Sequence, residues 1–179
     1  MQTYIAFLRG INVSGQKLIK MEVLRTILME LPIQNCNTYI QSGNIIFKSL
    51  LTNTSELENL ITNAIEKHFG FQVPVLILTL QELQKSSLQN PFQKLEDPTQ
   101  PYVTFLSDIP ENTSINTFKA IDFKEDRFFI TNKTMYIIYA NPGGNSKLTN
   151  AIIERKLKVR ATTRNWKTVN KLIELMLNL

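Results

Sequence analysis

With 179 residues, 43% of them hydrophobic, the chain is long enough to bury a real core and falls between one large domain and two small ones. Its longest apolar run, "VPVLILTL" at 73–80, is far short of the ~20 residues that span a bilayer, and Cys36 and His68 are its only cysteine and histidine; a membrane partner, a disulfide framework and a Cys/His metal site are therefore not expected. The net charge of +5 is uneven: residues 141–179 carry eight basic against two acidic side chains, net +6, which leaves −1 for the first 140.

The opening "MQTYIAFLRG" has no basic start and only five apolar residues in a row before Arg9, unlike a signal peptide, so a cytoplasmic location is expected. Hydrophobic periodicity predicts a strand near Tyr4–Leu8 and a helix from about Lys20 to Leu31 with Met21, Leu24, Ile27 and Leu28 on one face. Pro32 stops that helix. "NTYIQSGNIIFKS" alternates on both sides of Ser42-Gly43 and reads as a β-hairpin. Cys36, just before it, reads as a small buried hydrophobe. A second helix starts near Thr54 or Ser55 and ends at Gly70, and "VPVLIL" is a fourth strand.

This order, βαββαβ, is ferredoxin-like and predicts an α+β fold with an antiparallel sheet and both helices on one face. It also places the loop 9–19, the turn 41–44 and the end of the second helix at His68 on one edge. A helical stretch at 80–88 leads into the proline-bearing connector "NPFQKLEDPTQP". After it come a strand "YVTFL", a short helix at 112–119, a hairpin turning at Asn132-Lys133, and helices at about 147–157 and 163–177. The second half thus reads βαββαα, and the chain divides into a ferredoxin-like subdomain at 1–89 and a second α+β subdomain at 90–179.

Three stretches carry candidate chemistry. "LRGINVSG", residues 8–15, has the glycine spacing of a phosphate-binding loop, but Gln16 and Lys17 stand where that loop needs its lysine and hydroxyl, so nucleotide hydrolysis is not expected. Arg9 at the strand end, with Asn12, Gln41, Ser42 and Asn44 bordering the same edge, can still bind a carboxylate or phosphate, or serve loop geometry and a structural ion pair. In "NPGGNSKLTN", Asn145 or Ser146 can cap a helix with Lys147 in its first turn, where a cation misfits the helix dipole unless an anion is near. In "ATTRNWKTVNK", Thr162 or Thr163 is a candidate cap, Asn165 joins the candidate contacts, and Arg164, Lys167 and Lys171 form a basic stripe that suits either a phosphate backbone or a solvated face. No catalytic residue set, no cofactor and no metal ligand set emerges. The reading favoured is a binding protein for an anionic partner, nucleic acid or a phosphorylated small molecule; the alternative is a small enzyme that stabilises an oxyanion through Arg9 and its polar neighbours.

Taken in order, "YIAFLRGINVSG", "TYIQSGNIIF", "FGFQVPVLI", "NPF", "VTFL", "SKLTN" and "ATTRNW.TV.KL" resemble the bacterial proteins of the domain of unknown function 1697 family from Tyr4 to Leu175. The resemblance implies an α+β fold with a ferredoxin-like portion and implies no activity. Members often carry a glycine and a lysine at the positions of Ser14 and Gln16, from which this chain departs.

Overall fold

The computed structural model describes residues 1–13, 15–93, 101–141 and 146–179. The expected cap at Asn145 and residues 94–100 of the connector lie outside the described residues. The chain divides into two compact units, one of residues 1–85 and 171–179, the other of residues 86–170.

The first unit contains β1 (Gln2–Leu8), α1 (Met21–Leu28), β2 (Ile33–Tyr39), β3 (Asn44–Ser49), α2 (Thr54–Phe69) and β4 (Val75–Thr79), followed by α3 (Leu80–Leu88). Its sheet has the order β2-β3-β1-β4 with antiparallel pairing throughout. Alternate strand residues, Tyr4, Ala6, Leu8, Ile45, Phe47, Val75 and Ile77, form one core with Leu24, Ile27 and Leu28 of α1 and Leu57, Ile61 and Ile65 of α2. Both helices therefore cover the same face, because the period-2 side chains of the strands and the 3.6-period stripes of the helices meet there. The Asn53 side-chain carbonyl accepts from the Ser55 and Glu56 amides at 3.0 and 3.3 Å, a cap that contributes about 1 kcal/mol to α2. Gly70 closes the helix at φ +76°, its amide on the Glu66 carbonyl at 2.9 Å.

The second unit repeats the order with β5 (Tyr102–Leu106), α4 (Asn112–Lys119), β6 (Arg127–Thr131), β7 (Thr134–Ile138), α5 (Asn150–Leu157) and β8 (Ala161–Asn165), after which α6 (Trp166–Leu177) begins. Its sheet order, β6-β7-β5-β8, matches that of the first unit strand for strand. The backbone bonds at the end of the first strand match too. Leu8 N–H donates to the Gly43 carbonyl at 2.7 Å and Arg9 N–H to Pro74 at 3.0 Å; Leu106 N–H donates to Lys133 at 2.9 Å and Ser107 N–H to Arg160 at 2.9 Å. Lys158 ends α5 in the left-handed conformation, as Gly70 ends α2.

The second half differs from the expected βαββαα by one strand. Residues 161–165 are not the start of the last helix but β8, paired antiparallel with β5 from Leu106↔Ala161 to Tyr102↔Asn165. Two adjacent threonines suit a strand, and the cap of α6 is Asn165 rather than Thr162 or Thr163: its side-chain carbonyl accepts from Thr168 N–H at 2.8 Å. The helix before it also begins later than expected, at Asn150, because Thr149 Oγ1 accepts from Ile152 N–H at 3.3 Å and acts as the cap. In the core of this unit the Phe118 ring lies 5.1 Å from those of Phe123 and Phe128, which are 5.7 Å from each other. Among the described residues no helix is long and apolar enough to cross a membrane.

Candidate functional site

In the first unit, loop 9–19, turn 41–44 and loop 70–74 do share an edge, held by the Leu8–Gly43 and Arg9–Pro74 backbone bonds. Two backbone amides of the loop after Arg9 are engaged within the loop itself. Asn12 N–H donates to the Lys17 carbonyl at 3.2 Å and Gln16 N–H to Val13 at 2.9 Å, so Asn12 and Val13 pair with Gln16 and Lys17 and these two amides are occupied. Gly10 and Gly15 sit at φ +71° and +75°, as turns of that tightness require. Lys17 reaches away to the Gln72 carbonyl at 2.7 Å and lies 6.0 Å from the centre of the Phe71 ring.

The structure brings Arg9, Asn12, Gln41, Ser42 and Asn44 to this edge, and the side chains of Asn12 and Asn44 bond to the backbone there. Asn12 donates to the Gln41 carbonyl at 2.9 Å and to the Ile19 carbonyl at 3.1 Å, and accepts from Ile19 N–H at 2.8 Å. Buried Asn44 donates to the Tyr39 carbonyl and to Ser42 Oγ, each at 3.0 Å. Gln41 thus contributes its carbonyl and Ser42 its hydroxyl to the turn. Arg9 is half-buried at the strand end.

The remaining candidates belong to the second unit. Ser146 donates to Asp126 Oδ2 at 2.5 Å and accepts from Leu148 N–H at 2.8 Å, while Asp126 Oδ1 accepts from Ala140 N–H at 2.9 Å. Ser146 therefore ties the start of the α5 approach to the end of β7. Lys147 is exposed and precedes α5, so it is not in the helix's first turn and the expected dipole misfit does not arise. It lies instead at the rim of two depressions. One, of about 440 Å³, is lined by Ile121, Phe123, Lys147, Thr149, Ile152, Arg155 and Lys156. The other, of about 270 Å³, shares Phe123 and Lys147 and adds Lys124, Glu125, Asp126, Ala140, Asn141 and Ser146.

Arg164 is elsewhere. Thr104 and Thr163 hydroxyls lie 2.7 Å apart and Thr163 donates to Asn150 Oδ1 at 2.6 Å, so Thr163 faces α5. Arg164 and Thr162 point to the opposite face of β8, where Arg164 Nη1 donates to Thr162 Oγ1 and to the Thr163 carbonyl, both at 2.9 Å. Burial disfavours its charge and pulls its pKa down to about 10, which leaves it a cation at neutral pH. Because Arg164 belongs to β8, the expected stripe of Arg164, Lys167 and Lys171 does not form, and Lys171 pairs with Glu174 at 2.6 Å.

Sequence reasoning missed Arg155, Lys156 and the apolar trio Ile121, Phe123 and Ile152. One signal was available: Ile152, Arg155 and Lys156 recur at i, i+3 and i+4, the spacing of one helix face. The approach of Ile121 and Phe123 is a long-range contact that no local pattern encodes.

Residues 1–85 and 86–170 with their matching sheets form a fold similar to that of the conserved bacterial protein SP0830 from Streptococcus pneumoniae, at a TM-score of 0.71 and 22% identity over 98% of each chain. At that identity the likeness concerns the fold alone. No curated protein matches the chain in sequence. A family model described as "Protein of unknown function (DUF1697)" matches residues 1–136, and the chain, whose elements from β1 to β6 lie within that span, belongs to this family.

Proposed function

We propose that the chain is a cytoplasmic binding protein for an anionic ligand, nucleic acid or a phosphorylated small molecule, and that Lys147 anchors the anion. The observation that carries this reading is the lining of the 440 Å³ depression: Lys147, Arg155 and Lys156 converge on it, and among the described residues no carboxylate does. Arg155 and Lys156 stand in the last turn of α5, where cations complement the helix dipole. A third cation from another segment adds repulsion, which an anion between them relieves. The alternative reading, oxyanion stabilisation at the edge of the first unit, is favoured by no observation, since the Asn12 and Asn44 amides are engaged with backbone carbonyls.

The test is titration of inorganic phosphate and of a short single-stranded DNA at ~50 mM salt, where phosphate contacts are strongest, on the wild type and on a Lys147→Ala/Arg155→Ala variant. Weaker binding to the variant supports the reading; equal affinity for both proteins removes it.

A further inference from the structure

We infer that the depression beside α5 takes one phosphate monoester of a small apolar or aromatic group, not a polynucleotide. The inference rests on the anion reading above and narrows it. Besides the three cations and Thr149 the lining is hydrocarbon: Ile121, Phe123 and Ile152. Ile152, Arg155 and Lys156 share one face of α5 by their i, i+3, i+4 spacing, so a ligand lying along that face meets an apolar surface at one end and two cations at the other. The volume, about 440 Å³, is that of a small-molecule site.

The floor is preformed. Phe123 is buried with its ring held at 5.1 and 5.7 Å from the rings of Phe118 and Phe128, so an apolar group settling on it meets a surface already ordered. Three cations match a monoester phosphate, which carries close to two negative charges at neutral pH, and Arg155 supplies the planar fork that such a group accepts.

A nucleic acid strand needs an excess of positive charge to continue, and in the neighbouring depression that excess is cancelled. The adjoining depression, which shares Phe123 and Lys147, sets Glu125 and Asp126 against Lys124 and Lys147, so its cations are matched by carboxylates and offer a second phosphate no net positive charge. On the other face of β8, Arg164 is directed to Thr162 and the Thr163 carbonyl. A single headgroup with an apolar body fits what remains.

The experiment compares phenyl phosphate, inorganic phosphate and a twelve-nucleotide single-stranded DNA by calorimetric titration of the full chain at ~50 mM salt, with the wild type, Lys147→Ala and Ile152→Thr. Phenyl phosphate is expected to bind at least about tenfold tighter than inorganic phosphate, a preference expected to fall at least about fivefold in Ile152→Thr. Lys147→Ala, a change at an exposed side chain, is expected to weaken both phosphates alike. Inorganic phosphate or DNA binding as tightly as phenyl phosphate, with Lys147→Ala weakening it, overturns the inference and leaves the anion reading standing. A phenyl preference that survives Ile152→Thr places the apolar contact elsewhere and also overturns it. Absence of binding by all three probes removes both readings together.

Discussion

Asn12 and Ile19 are bonded to each other twice: the Asn12 side-chain carbonyl accepts from Ile19 N–H at 2.8 Å, and its amide donates to the Ile19 carbonyl at 3.1 Å. The side chain imitates a strand residue and clips the two ends of the loop together, with its second amide hydrogen on the Gln41 carbonyl of the neighbouring turn. Asn12 also sits at φ +53°, which asparagine tolerates better than most residues. Asn12→Ala is expected to lower stability by about 2–3 kcal/mol, from three lost hydrogen bonds and added backbone strain. Asn12→Asp is expected to be worse at neutral pH, because a carboxylate then faces two carbonyl oxygens. Urea unfolding of the three proteins checks the order; an aspartate as stable as the wild type contradicts it.

Gly43 makes a sharper test of the same edge. It lies at φ +78°, and a Cβ built there stands 2.6 Å from Leu8 Cβ and 2.9 Å from Ile11 Cδ1, while at Gly10 and Gly15 a Cβ meets nothing within 4 Å. Alanine at Gly10 or Gly15 carries only the left-handed cost of about 1–2 kcal/mol. At Gly43 the buried Leu8 backbone region must shift as well, so Gly43→Ala is expected to cost about 3 kcal/mol or more. Equal losses at the three glycines, read from unfolding midpoints, remove the steric argument.

These two residues also mark how far the sequence is legible. Gly43 stands between two alternating runs, and a hairpin turn follows from that local pattern. Asn12 reads as a ligand group because its neighbours are an arginine and glycines, and only the fold shows that its amide is consumed at Ile19 and Gln41. The order βαββαβ of the first unit is written in periodicity, each element having its own stripe. β8 is not: "ATTRN" is five residues with two threonines, equally suited to a helix cap, and its partner β5 lies more than fifty residues earlier. The charge of the α5 region is visible as composition, whereas its meaning depends on Ile121 and Phe123 arriving from a distant segment.

Ile40 occupies a conformation that its side chain opposes. It is β-branched, sits at φ +51° in the turn between β2 and β3, and is 48% exposed, so little packing offsets the strain. Ile40→Asn places there a residue that visits this region readily, and is expected to raise stability by about 1 kcal/mol. The unfolding midpoint of the variant decides: a fall instead of a rise means the exposed isoleucine contributes contacts that outweigh its backbone.

Alkaline pH should weaken the second unit through two phenols. Burial is the main cause that pushes Tyr136 and Tyr139 from 10 up to about 12 each, and for Tyr139 the nearby Asp126 and Tyr102 act in the same direction. Both phenols hold their protons against backbone carbonyls, Tyr136 on Ser86 at 2.7 Å and Tyr139 on Leu148 at 3.0 Å. A raised folded-state pKa means that the unfolded chain releases these protons first, so the contribution is complete below pH 10 and is lost between pH 10 and 12. Tyr139→Phe removes one of the two groups along with one hydrogen bond, and should be less stable than the wild type by about 1 kcal/mol at pH 8. Above pH 10 its stability should fall less steeply, so that the two curves converge and then cross before pH 12. Urea midpoints measured from pH 8 to pH 12 give both curves; a constant gap across that range would show that Tyr139 ionises alike in the folded and unfolded chains and would remove the buried-phenol account.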